Sequence, residues 1–157
     1  MINIYSKKNF KIMLNNRRID DDTVSNFLNE YFISISPQDG PDKEEIFKFQ
    51  HTNVLTLFFD DVLTDSFKSG EPVVRGLIFA KAMTISQATE SIKFIKTIPK
   101  DSKIHIHCMA GKSRSVAFGL FLTEWFNLDV EEFLKKTNPI YNTYVYNLLK
   151  EASIVNH

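Results

Sequence analysis

The sequence predicts an α/β fold: one domain over residues 1–157, with a central, mostly parallel sheet flanked by helices. Three observations carry this expectation. Short apolar runs of strand character are interleaved with segments of helical periodicity, the pattern of a sheet covered by its own crossover connections. The chain has 157 residues, 43% of them hydrophobic, enough for one sizeable core. Its single cysteine, Cys108, sits where an apolar strand gives way to a small-residue loop and then to an apolar helix, with an arginine six positions later.

Taken in order, Ile2 to Tyr5 reads as a short strand and Lys7 to Leu14 as a helix. Asp21 or Asp22 is placed to cap a second helix running to Glu30. Tyr31 to Ser36 alternates apolar and polar side chains, the period of a strand. The segment from Pro37 to Glu45 is loop by its Pro, Gly and Asp content. Asn53 to Phe59 is a second strand in this region, apolar enough to be central in the sheet. Asp60 to Met83 is the least regular stretch, and its apolar pair Val73-Val74 belongs to no predicted element.

Thr84 followed by Gln87 three residues later forms a capping-box pattern. Behind it Ile85, Ala88, Ile92 and Ile95 recur at 3, 4 and 3 residues, which gives a helix one apolar face, and Pro99 ends it. Ile104-His105-Ile106 reads as a strand, and Val116 to Phe126 as a helix apolar on nearly every side and therefore buried. Asp129 with Glu132 caps a short helix to Lys136. Asn138-Pro139 introduces a last helix over Tyr141 to Glu151. In an open sheet of this kind the loop after the Ile104–Ile106 strand lies at a carboxyl end, where ligands bind.

Composition narrows the partners. The formal net charge is zero with a pI near 6.9, so no global field draws the chain to nucleic acid or to anionic membrane. Fourteen phenylalanines point to an aromatic core. One cysteine excludes an internal disulfide and suits a reducing compartment, and neither a signal peptide nor a membrane-length apolar run is visible, so a cytoplasmic setting is expected. Only four arginines occur, one of them Arg114 in the loop.

The chemistry lies in His107-Cys108-Met109-Ala110-Gly111-Lys112-Ser113-Arg114-Ser115. A loop of this length curls so that the backbone N–H groups of Met109, Ala110, Gly111, Lys112, Ser113 and Arg114 face inward. With the helix macrodipole they form an anion cradle. Arg114 adds a planar fork that matches two oxygens of a phosphoryl group, and Gly111 allows the tight turn. The same field favours a thiolate. Lowering a thiol from pKa ~8.5 to about 5.5 is worth roughly 4 kcal/mol, within the range seen at helix N-termini beside cations. Ser115 is placed to hydrogen-bond the sulfur and help it leave.

This Cys-(five residues)-Arg-Ser run, preceded by His107, resembles the signature of the cysteine-based protein phosphatases, and its Ser-Arg-Ser ending most resembles the dual-specificity branch. The resemblance covers about Val54 to Leu149. It implies a strand–phosphate loop–helix fold and hydrolysis of phosphate monoesters on phosphotyrosine, and on phosphoserine or phosphothreonine, through a cysteinyl-phosphate. It implies a phosphorylated protein or peptide as partner, no cofactor, and a histidine, here His107, that tunes the thiolate. In the family an upstream aspartate protonates the leaving oxygen. Phe58-Phe59-Asp60-Asp61 resembles a turn of small bacterial and phage-type predicted phosphatases; Asp61 matches that acid best, with Asp60 and Asp65 as alternatives. Dual-specificity enzymes carry the acid nearer the cysteine, which an insertion over Val62 to Met83 explains.

Other chemistries fit less well. His105 and His107 fall on one face of a strand and Cys108 on the other, so these residues do not form a zinc site. Gly-Lys-Ser is not a nucleotide P-loop, because the first glycine of that motif falls at Ile106. Lys112 resembles a loop lysine of inositol lipid phosphatases, which keeps open a phosphoinositide or an RNA or polyphosphate 5′-phosphate as substrate. A phosphopeptide-binding module without turnover is the third alternative.

Overall fold

The computed structural model describes residues 1–62, 72–75 and 78–156. Among them, four parallel strands form one sheet in the order β1-β6-β2-β3: β1 (Ile2–Ser6), β6 (Lys103–Cys108), β2 (Glu30–Ser36) and β3 (Val54–Phe58). The α/β class and the parallel sheet flanked by helices are as the sequence predicts. Parallel neighbours require crossovers; α1 lies in the connection from β1 to β2 and α2 in that from β3 to β6, while residues 37–53 join β2 to β3 without a helix.

One face is covered by α2 (Ile85–Ile95), α3 (Arg114–Trp125) and α5 (Thr143–Val155). There Ile33, Ile35, Leu55, Leu57, Ile104, Ile106 and Cys108 meet Ile92, Ile95, Phe118, Leu122 and Leu149 in one apolar core. The other face carries α1 (Lys7–Asn16), where Phe10 and Leu14 pack with Ile19, Val24, Phe32 and Phe47. α4 (Val130–Lys136) lies outside, against α3. Gly119 permits that contact, since a Cβ there would lie 2.6 Å from the Phe133 ring.

Ser6 caps α1, Thr84 and Gln87 close both halves of the predicted capping box, and Asp129 caps α4. Several expectations are corrected. No helix spans Asp21 to Glu30. Asp20 folds the chain into a turn by accepting from the N–H groups of Asp22 and Thr23, and Val24–Asn26 makes a single 3₁₀ turn. Asp21 instead accepts from the N–H groups of Lys48 and Phe49, so a residue with good capping chemistry is used in a long-range contact.

The strand predicted to be central, β3, lies at the edge, and β6 and β2 fill the centre. Ile85, the first residue of α2, is 46% exposed although it shares the stripe of the buried Ile92. That helix stops at Ile95, four residues before Pro99. α3 begins two residues earlier than predicted, at Arg114, and α5 begins at Thr143 behind its own cap, Asn142. Val73 and Val74 belong to β4 (Pro72–Arg75), which pairs antiparallel with β5 (Ile78–Lys81) in a separate hairpin. Among the described residues no helix is long and apolar enough to cross a membrane.

Candidate active site

β6 delivers His107 and Cys108 side by side and faces them oppositely. Cys108 follows Ile104 and Ile106 onto the apolar face and is buried beneath the start of α3. The Sγ lies 3.0 Å from the Ser115 hydroxyl in the first turn of that helix. Burial raises the thiol pKa. The Ser115 hydroxyl and backbone N–H, the Arg114 guanidinium and the Ser113 N–H outweigh it, so the net shift is downward from the ordinary value.

His107 points to the α1 face, against the Phe10 ring at 4.4 Å. Its Nδ1 lies 3.2 Å from the Cys108 carbonyl, which can only accept, so the ring proton sits on Nδ1. Nε2 then accepts from the Ser34 hydroxyl at 2.6 Å. Burial holds this histidine neutral, with its pKa pushed down to about 4. It fixes the backbone at Cys108 and carries no charge to the sulfur at neutral pH.

Beyond Cys108 the loop is tied to β1. Met109 O accepts the Lys7 N–H at 3.1 Å, and Gly111, at φ +70°, lies so close to the Tyr5–Ser6 backbone that a Cβ would come within 2.7 Å of it. Met109 and Ala110 are exposed, as is Lys112, whose carbonyl accepts from Asn138. Arg114 is 5% exposed. Its Nη1 donates to the Phe59 carbonyl at 2.7 Å, while its buried Nε has no hydrogen-bond partner. A buried donor without a partner is costly, and an anion in the loop would satisfy it.

The turn after β3 brings the two adjacent aspartates to different tasks. Asp60 accepts from the Gln38 N–H at 3.2 Å and the Lys81 N–H at 2.7 Å, so its carboxylate fastens β5 and the 37–42 loop to the sheet. Asp61 Oδ1 accepts from the Ser113 hydroxyl of the loop at 2.8 Å and from Asn142 Nδ2 at 2.8 Å. Asp60 and Asp61 line one cleft of about 430 Å³ with Arg114, Met109, Asp39 and Asp42. Asp65 lies outside the described residues. Lys112 faces a different cleft, shared with Gly111, Lys136 and Asn138.

The structure therefore brings Cys108, Ser115, Arg114, His107, Ser113 and Asp61 into one neighbourhood, while Lys112 of the same loop lines another cleft. Ser34, the Phe59 carbonyl and Asn142 complete that neighbourhood and were not foreseen. The sequence carries a cap signal for Asn142, three residues before Val145, but nothing that ties it to Asp61, 81 positions earlier. His105 and His107 share a face and Cys108 takes the other; among the described residues no group of three His, Cys, Asp or Glu side chains is placed to hold a metal ion.

No protein-family model matches the chain, and no curated protein matches it.

Proposed function

We propose that the protein is a phosphomonoesterase of the cysteine-dependent kind, acting on phosphorylated protein through a cysteinyl-phosphate intermediate. The observation that carries this reading is Cys108 at the end of β6, buried beneath the first turn of α3, its thiol pKa lowered and its Sγ 3.0 Å from Ser115 Oγ, with buried Arg114 beside it. Cys108 thiolate attacks phosphorus; the S–P bond forms as the bond to the leaving oxygen breaks. The Asp61 carboxyl gives its proton to that oxygen and, as carboxylate, takes one from the water that then attacks the phosphocysteine. Ser115 hydrogen-bonds the departing thiolate, and Arg114 holds two phosphoryl oxygens throughout.

Four aspartates, Asp39, Asp42, Asp60 and Asp61, line the cleft beside Arg114, and Lys112 lines a different cleft. That surrounding repels a polyanion, so it favours an isolated phosphate on protein over a phosphoinositide or an RNA 5′-end.

Turnover of p-nitrophenyl phosphate and of phosphotyrosyl and phosphothreonyl peptides tests the reading, with an inositol phosphate as the competing substrate. Cys108→Ser should lower the rate at least 10³-fold while orthovanadate or phosphate still binds. Activity within tenfold of wild type would overturn the covalent mechanism.

A further inference from the structure

Asn142 is fully buried, and every polar atom of its side chain is used. Oδ1 accepts the Val145 N–H at 3.0 Å and so caps α5. Nδ2 donates to Asp61 Oδ1 at 2.8 Å and to the Val62 carbonyl at 2.9 Å. Its backbone N–H donates to the Ser113 carbonyl at 3.3 Å, and the Ser113 hydroxyl reaches the same Asp61 oxygen. One buried amide thus joins the phosphate loop, the turn after β3 and the last helix. A cap needs only Oδ1, which serine or aspartate supplies equally well. Nothing about capping explains why the two N–H bonds are spent on Asp61 and its neighbour.

We propose that Asn142 is a positioning residue for proton transfer: it holds the Asp61 carboxyl against Ser113 and so aims it at the phosphate loop. This rests on the reading of Asp61 above. The amide stabilises the carboxylate that forms when Asp61 gives up its proton, and it resists swinging of the turn away from Ser113. The charged and titratable groups near Asp61 among the described residues are Asp60 in the same turn, Asp39 and Asp42 across the cleft, Arg114 and Cys108 of the loop, and Tyr144 of α5, which packs against Val62. None of them is altered by a change at residue 142.

Asn142→Asp separates positioning from capping, because it keeps an excellent cap and replaces the N–H donor facing Asp61 with a second carboxylate. The alkaline limb of kcat/KM for a phosphotyrosyl peptide should move to higher pH by about one unit, as like charges in contact oppose ionisation. Asn142→Ser keeps the cap and loses the donor, so its limb should move the same way by less. KM should change under twofold in both, since neither touches the phosphate. Unmoved limbs in both variants, with thermal midpoints near wild type, would overturn the inference and leave the role of Asp61 standing. Should Asn142→Asp fail to fold, Asn142→Ser alone decides by the same criterion. Asp61→Asn tests the underlying reading: a limb that survives it means another acid, and the proposal for Asn142 falls with it.

Discussion

The two faces of β6 are built by opposite means. Toward α3, Ile104, Ile106 and Cys108 enter an apolar core that is held by burial. Toward α1, His105 and His107 are buried between Phe32 and Phe10 and are held by hydrogen bonds. Tyr5 donates to His105 Nδ1 at 2.8 Å, and His105 Nε2 donates to Glu30 at 2.8 Å. The Arg17 guanidinium grips both Glu30 oxygens at 2.7 Å. The Cys108 sulfur thus lies on the apolar side beneath α3, while the Cys108 backbone is held from the polar side by His107. One strand separates the thiol from the buried histidines.

The difference should show first in stability. Ile106→Ala removes a fully buried side chain from the apolar face and should cost about 2–5 kcal/mol. Urea unfolding should give nearly the same loss at pH 7 and pH 5. A loss that changes markedly with pH would mean that the two faces are coupled.

The polar face should make the domain sensitive to acid. His107 binds its proton in the unfolded chain near the ordinary 6.5 but in the fold only near 4. The unfolded state therefore holds more protons between those values, and stability is full above about pH 6.5 and falls as pH drops toward 4. The loss by pH 4.5 should be about 2–3 kcal/mol from this residue. His105, lowered chiefly by burial, adds in the same direction. The Arg17 guanidinium, partly opposed by burial, holds Glu30 down at about 2, so its contribution is present above about pH 4.5 and is lost as pH falls toward 2. Unfolding free energies from pH 8 to 3 measure this, and a flat profile above pH 5 would mean that His107 is charged in the fold.

Tyr5→Phe should have the smallest effect. It leaves His105 Nδ1 without its donor and should cost about 1 kcal/mol, with turnover changed less than twofold. A larger loss of turnover would mean that the polar face reaches the phosphate loop through Tyr5, whose backbone lies against Gly111.

What the sequence determined by itself was local. The capping box at Thr84, the strand into His107-Cys108 and the apolar helix after the loop are each set by neighbours within a few residues, and each formed, the helix starting two residues earlier than its apolar run. So the sulfur and the Ser115 hydroxyl were legible as one unit at a strand-to-helix junction. The tertiary structure decided what depends on partners far along the chain. Asp21 has the chemistry of a cap but is claimed by Lys48 and Phe49, so no helix follows it. β3 reads as apolar as a central strand, yet its place at the edge depends on which strands β6 and β2 choose as neighbours. Asp60 and Asp61 are indistinguishable by composition. One fastens a hairpin and the other meets Ser113 and Asn142, because a turn aims successive side chains in different directions and only the packed fold supplies what each one meets.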